Sequence, residues 1–84
     1  MIKIQVFGVT PPCMRCQATE RVVREVVQEL GVEAEVVKED VMSEEARRVG
    51  VMMSPAVVIE GKVVKAGGVP TKEEIRRAIE ALGA

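Results

Sequence analysis

Hydrophobic residues recur at two spacings along the chain, and each spacing predicts a different kind of element. Ile2, Ile4 and Val6 alternate with other residues, which predicts a first strand with one apolar face. Between 13 and 30 the apolar positions recur at spacings of one, three and four, which predicts a helix that stops at Gly31. The buried stripe of this helix is predicted to be Ala18, Val22, Val23, Val26, Val27 and Leu30.

The rest of the chain predicts five shorter elements. A loose alternation over 32–38 predicts a second strand, and Ser43 suits the N-cap of a short helix that ends at Gly50. The apolar run 56–59 predicts a strand covered on both faces, and Gly61 allows a tight turn into a return strand. The last helix is predicted from its capping box and its buried face, which are Thr71-Lys72-Glu73-Glu74 and Ile75, Ala78, Ile79 and Leu82.

The order of these elements is strand, helix, strand, helix, strand, strand, helix, so the predicted fold class is α/β. A strand–helix–strand opening implies a parallel pair with a right-handed crossover, and the late hairpin adds an antiparallel pair. We therefore predict a mixed four-stranded sheet flanked by three helices, built as a single domain over 1–84.

Composition excludes several classes of function. The net charge is −1 and Phe7 is the only aromatic residue, so the sequence offers neither a strong field nor a stacking platform for nucleic acid. No apolar run approaches the length of a membrane span, and the first residues lack the apolar segment of a signal peptide. We expect a cytoplasmic protein that binds neither nucleic acid nor a membrane.

Cys13 and Cys16 are the only cysteines, and they fall where the first strand gives way to the helix. One helical turn brings such positions to about the 5.5 Å Cα separation that a disulfide prefers. A thiol at a helix N-terminus also faces unpaired N–H groups, which stabilise its thiolate. The spacing fits a structural disulfide too, but in the cytoplasm it is more typical of redox chemistry or metal binding. We predict a reversible Cys13–Cys16 disulfide and no bound cofactor or metal.

The order of the elements and three short motifs resemble the thioredoxin and glutaredoxin family, over nearly the whole chain. The motifs are the cysteine pair, Ser54-Pro55 before the third strand and Gly67-Gly68 after the hairpin. The resemblance is most specific to the small archaeal and bacterial thioredoxin-like redox-active disulfide proteins. It implies a thioredoxin-like βαβαββα fold, a cis peptide bond before Pro55, and a thiol–disulfide oxidoreductase that reduces disulfides in proteins.

The resemblance also implies roles for individual residues. Cys13 becomes the exposed nucleophile and Cys16 the buried resolving thiol. Arg15 adds positive charge near the thiolate, and Met14 adds an apolar surface for a partner. The Ser54 backbone groups suit pairing with an extended substrate segment. The predicted substrate-binding set is Pro12, Met14, Arg15, Ser54, Pro55, Gly67 and Gly68. The two glycines equally suit a flexible loop.

The sequence departs from the family pattern around the cysteines. Thioredoxins carry Trp before the first cysteine and Gly-Pro between the pair, whereas this chain has Pro12, Met14 and Arg15 there. The first strand offers no Asp of the kind that thioredoxins use as a proton acceptor. The expected partners are disulfide-containing proteins, with a flavin-dependent thioredoxin reductase or, in a glutaredoxin-like variant, glutathione as electron donor. A monomer is expected.

Two other functions remain open at this stage. Two thiolates can bind a soft metal such as Cu(I) for transfer to another protein, and an accessory or redox-sensing domain can use the same fold. Met42, Met52 and Met53 could extend a soft-metal surface, but we interpret them as loop and core residues.

Overall fold

The computed structural model describes residues 1–9 and 14–83, which form one mixed sheet between two layers of helices. Its strands lie in the order β2-β1-β3-β4, with β1 parallel to β2 and the other neighbours antiparallel. This is the predicted α/β fold class. The elements in chain order are β1 (Ile2–Gly8), α1 (Met14–Leu30), β2 (Ala34–Asp40), α2 (Glu44–Val49), β3 (Ala56–Ile59), β4 (Lys62–Ala66) and α3 (Lys72–Gly83).

The larger part of the core lies between the sheet and helices α1 and α3. The predicted apolar face of β1 is confirmed, because Ile4 and Val6 pack there with Val23 of α1 and Ile75 of α3. The opposite face of the sheet packs against α2 through a smaller cluster that includes Phe7. All residues of β3 are buried, as the unbroken apolar run predicts for a strand covered on both faces.

The predicted helix boundaries are confirmed by their caps. The Ser43 hydroxyl accepts a hydrogen bond from the Ala46 N–H at the start of α2, and Gly50 ends that helix in the left-handed conformation. Thr71 and Glu74 form the reciprocal hydrogen bonds of a capping box at the start of α3.

Two predictions from the sequence are wrong in detail. The second strand runs from Ala34 to Asp40 rather than over 32–38, because β1 extends to Gly8 and pairs with β2 through Asp40. Leu82 is 48% exposed rather than buried. It lines an open groove between the last turn of α3 and the β3–β4 hairpin, so only part of its side chain is covered.

Within the residues described, no helix is long and apolar enough to cross a membrane.

Candidate functional site

Helix α1 begins at the carboxyl end of β1 and carries Cys16 in its first turn. Pro12 and Cys13 lie outside the described residues, so the predicted pair is described through Cys16 alone. Cys16 is 6% exposed, which agrees with the burial expected of a resolving thiol. Little of this residue is therefore in direct contact with solvent.

Gly8, the last residue of β1, lies directly against the Cys16 side chain. A Cβ atom added to Gly8 would stand 2.9 Å from the Cys16 Sγ and 3.1 Å from its Cβ. The first distance is shorter than real Cβ contacts, so only glycine lets the strand end approach the sulfur this closely.

Arg15 connects the start of α1 to the loop that follows β4. Its guanidinium donates a hydrogen bond to the Gly67 carbonyl at 3.4 Å, and the Gly67 N–H donates to the Pro55 carbonyl at 2.9 Å. The structure thus brings together three predicted site residues that are far apart in sequence. Thr19, in the next turn of α1, is buried, and its hydroxyl donates a hydrogen bond to the Arg15 carbonyl at 2.8 Å.

The segment before β3 contributes a buried proline and an exposed methionine. The Ser54–Pro55 peptide bond is cis, as the family resemblance implies, and Pro55 is buried while Ser54 is half-buried. Met53 lies over Gly67, since a Cβ atom on Gly67 would stand 2.6 Å from the Met53 Cε. Gly67 has a φ of +83°, a conformation that strongly favours glycine.

The remaining predicted site residues are more exposed or have more space around them. Met14 is 86% exposed at the first position of α1, as expected for a partner-facing apolar side chain. Gly68 has room for a side chain, because an added Cβ atom would meet only the Lys65 Cε, at 3.6 Å. Met42, Met52 and Met53 were interpreted as loop and core residues. All three lie in loops, which confirms the first part, and all three are exposed, so the second part is wrong.

A cavity of about 260 Å³ opens beside Cys16, between α1 and the carboxyl ends of β1 and β2. Besides Cys16 and Gly8, it is lined by Glu20 and Lys38, which the sequence analysis did not identify. Lys38 lies 3.7 Å from the Glu20 carboxylate, which also accepts a hydrogen bond from Arg24 at 2.9 Å. The sequence could have indicated Glu20, because it lies four residues after Cys16 and therefore on the same helix face.

Among the residues that the structure describes, Glu29 and Lys72 form an ion pair that shifts the pKa values of both groups. The hydrogen bond from Lys72 and its positive charge lower the pKa of Glu29, and the same contact raises the pKa of Lys72.

Within residues 1–9 and 14–83, no three His, Cys, Asp or Glu side chains converge in a way that could hold a metal ion.

Comparison with known proteins shows the family to which this chain belongs. The family model for the thioredoxin domain matches residues 2–80. A thioredoxin of Methanothermobacter thermautotrophicus is 35% identical over 79 residues, which cover 94% of this chain and 99% of that protein. A thioredoxin of Methanocaldococcus jannaschii is 40% identical over 81 residues, which cover 94% of this chain and 93% of that protein.

Solved structures show the same fold at lower sequence identity. Chloroplastic thioredoxin z superposes with a TM-score of 0.72 at 21% identity, covering 99% of this chain and 79% of that one. Thioredoxin 1 from Thermosipho africanus superposes with a TM-score of 0.58 at 20% identity, covering 98% of this chain and 99% of that one.

Proposed function

This chain belongs to the thioredoxin family of thiol–disulfide oxidoreductases, and we propose that it reduces disulfides in proteins through Cys13 and Cys16. The observation that carries this proposal is the position of Cys16. It is buried in the first turn of α1, beside the end of β1, and its neighbour Arg15 is hydrogen-bonded to Gly67. This arrangement gives one protected thiol three residues after a second cysteine.

The burial of Cys16 supports the assignment of roles to the two cysteines. Cys16 is only 6% exposed, which leaves a disulfide on a folded protein little access to it, so we assign the first attack to Cys13. The Cys13 thiolate attacks one sulfur of the substrate disulfide, and the other substrate sulfur leaves as a thiolate. Cys16 then attacks the Cys13 sulfur of the mixed disulfide, which releases the second substrate thiolate and forms Cys13–Cys16.

We further propose that the partner docks on the surface formed by Met14, Arg15, Ser54 and Gly67. Met14 is exposed and apolar, and methionine adapts to partners of different shape. The Pro55 carbonyl already accepts the Gly67 N–H, so the Ser54 backbone groups are our candidates for pairing with an extended segment of the substrate.

The regeneration of the reduced pair requires a donor of two electrons. A flavin-dependent thioredoxin reductase is our first candidate and glutathione the second. The reducing conditions of the cytoplasm would maintain such a cycle.

The proposal is tested by a redox titration of the native protein in defined thiol buffers, with alkylation and mass spectrometry as the readout. We expect one two-electron couple between Cys13 and Cys16, at about −200 to −290 mV. Cys16→Ser should accumulate mixed disulfides with protein substrates, whereas Cys13→Ser should trap none. A native protein that forms no intramolecular disulfide would contradict the proposal.

The electron donor is tested separately with the oxidised native protein. Reduction by a thioredoxin reductase with its nicotinamide cofactor, but not by millimolar glutathione, would support the first candidate. The reverse result would support the glutaredoxin-like alternative.

A further inference from the structure

Four of the five methionines lie at the end of the sheet where Cys16 is found. Met14 begins α1, Met42 follows β2, and Met52 and Met53 precede β3. Because β1 is parallel to β2 and antiparallel to β3, the carboxyl ends of β1 and β2 lie beside the amino end of β3. All four side chains are more than half exposed. A hydroperoxide that reaches this end of the sheet therefore meets thioether sulfurs, which it oxidises to sulfoxides.

Met53 packs directly on a glycine of the proposed site. The three atoms nearest to a Cβ atom added at Gly67 all belong to Met53, with Cε at 2.6 Å, Sδ at 3.6 Å and Cβ at 3.7 Å. Met53 is nevertheless 56% exposed, and Met52 beside it is 89% exposed. Met53 therefore combines an exposed side chain with a contact that oxidation of its sulfur would disturb.

Gly67 connects Met53 to the surface on which we propose that substrates dock. The Gly67 N–H donates to the Pro55 carbonyl at 2.9 Å, and the Gly67 carbonyl accepts a hydrogen bond from the Arg15 guanidinium at 3.4 Å. Ser54, whose backbone groups are our candidates for pairing with the substrate, directly follows Met53 in the chain. A displacement of Met53 or of Gly67 thus alters the docking surface.

We propose that Met53 is a site of reversible oxidation by hydroperoxides, and that its sulfoxide weakens the docking of the substrate. The second half of this inference rests on the proposed function. The Met53 sulfur attacks one oxygen of hydrogen peroxide, so that a sulfur–oxygen bond forms and the oxygen–oxygen bond breaks. The departing hydroxide takes the proton from the transferred oxygen and leaves as water. The sulfur loses two electrons, and the peroxide gains them.

A sulfoxide cannot replace the thioether on Gly67 without a cost in free energy. Oxidation makes the side chain polar, and its new oxygen accepts hydrogen bonds. Covering that oxygen against Gly67 would require a donor, but the Gly67 N–H is already bonded to the Pro55 carbonyl. The oxidised side chain therefore turns toward water and uncovers Gly67, or it displaces the Gly67 loop. Methionine sulfoxide reductases return sulfoxides to thioethers, which makes the change reversible.

The test treats the native protein with hydrogen peroxide while its cysteines are protected as a disulfide. Dithiothreitol then restores the thiols and leaves the methionine sulfoxides in place, and tandem mass spectrometry measures the sulfoxide at Met53 separately from that at Met52. For the reduction of insulin, kcat/KM should fall about three- to tenfold, mainly through KM, which is the effect of losing one to two methyl-sized apolar contacts. Treatment with methionine sulfoxide reductase should restore it.

Met53→Leu removes the sulfur but keeps an apolar side chain at this position, and each variant is compared with its own untreated sample. Met53→Leu should keep its kcat/KM for insulin after peroxide. Met52→Leu is the matched control, because Met52 is adjacent and more exposed, and it should lose activity as the native protein does. A small aromatic disulfide, which needs no docked chain, should be reduced at the same rate before and after treatment of the native protein.

Equal losses in the native protein and in Met53→Leu would overturn the inference, since another methionine would then be responsible. Full activity at complete oxidation of Met53 would also overturn it, as would a Met53 that stays reduced while Met52 is oxidised. An untreated protein that does not reduce insulin would instead overturn the proposed function, and the effect on docking with it. The oxidation of Met53 itself is measured by mass in either case.

Discussion

Gly8 and Cys16 are packed so closely that the space for a Gly8 side chain is already occupied by the Cys16 sulfur. An added Cβ atom would stand 2.9 Å from the Cys16 Sγ. The end of β1 therefore fixes where the buried sulfur lies at the start of α1. The cysteine side chain has one rotatable bond, so it cannot move aside as a long side chain could.

Gly8→Ala should destabilise the protein and impair the resolving step. Overpacking of a filled site costs about 1–3 kcal/mol, and here the displaced group is the sulfur itself. We expect the free energy of unfolding to fall by that amount and the Cys13–Cys16 disulfide to form more slowly. Urea denaturation would measure the first effect. The second would be measured by stopped-flow reaction of the reduced protein with an aromatic disulfide, which releases one coloured thiolate on attack by Cys13 and a second on resolution by Cys16.

A double-mutant cycle with Cys16→Ala separates this contact from other effects of the alanine. Cys16→Ala removes the sulfur but keeps the Cβ atom, which would still lie 3.1 Å from the new side chain. Gly8→Ala should therefore destabilise the Cys16→Ala protein less than the native protein, by at least about 0.5 kcal/mol. Equal destabilisation in both backgrounds would contradict the proposed clash.

The parts of this fold that the sequence predicted are those with local signals. The caps at Ser43, Gly50 and Thr71 depend on residues within one helical turn, so their sequence patterns alone place the helix ends. The unbroken apolar run of β3 reflects burial on both faces, which is visible without knowing which elements cover it. Of the cysteine pair, the structure tests only the burial of Cys16, which agrees with its predicted place inside the helix.

The features that the sequence did not predict depend on how distant elements pack. Lys38 reaches Glu20 because the parallel register of β1 and β2 pairs it with Val6, beneath α1. That register was not readable from a loose alternation of Val and Glu. The exposure of Leu82 likewise depends on where α3 ends relative to the hairpin. The apolar pattern of a helix identifies its inward face but not how far along the helix that face is covered.

Arg15→Ala should change reactivity more than stability. The Arg15–Gly67 hydrogen bond is long, at 3.4 Å, and exposed, so we expect the free energy of unfolding to change by less than about 0.5 kcal/mol. The lost positive charge should slow the first thiolate release about two- to fivefold, the effect of a surface charge interaction of up to roughly 1 kcal/mol. This difference should shrink at high salt.

Arg21→Ala is the matched control for Arg15, because it removes the same charge from an exposed position further along α1. It should leave the first release nearly unchanged. An equal slowing in both variants would show that net charge alone, rather than the position of Arg15, governs the rate.

Glu29→Gln should remove part of the acid sensitivity of the protein. The hydrogen bond and charge of Lys72, with a smaller contribution from Arg76, lower the pKa of Glu29 below its ordinary value of 4.5. A carboxylate with a lowered pKa stabilises the fold above the unfolded pKa, and this contribution is lost as pH falls through the folded pKa. The native protein should therefore be more stable than Glu29→Gln at neutral pH, and the difference should vanish in strong acid.

Urea unfolding at neutral pH, at pH 4.5 and in strong acid would follow the loss of the Glu29 contribution. High salt should reduce the difference at neutral pH, because the Glu29–Lys72 contact is exposed. Glu33→Gln, at an exposed position before β2, provides the control. A difference between Glu29→Gln and the native protein that persists unchanged into strong acid would contradict the linkage.

Thr71→Ala should destabilise α3 by removing one half of its capping box. The Thr71 hydroxyl accepts a hydrogen bond from the Glu74 N–H at 3.1 Å, and the Glu74 carboxylate accepts one from the Thr71 N–H at 2.8 Å. The loss of a Thr N-cap costs about 1 kcal/mol, so the midpoint of urea unfolding should fall with little change in the slope of the transition. Thr71→Ser keeps the hydroxyl and should remain close to the native protein. Because α3 packs on α1 through the core cluster that contains Ile75, Val23 and Val26, both variants should retain the native rate of thiolate release. A loss of that rate in Thr71→Ala, but not in Thr71→Ser, would show that the cap of α3 also positions the loop that contains Gly67.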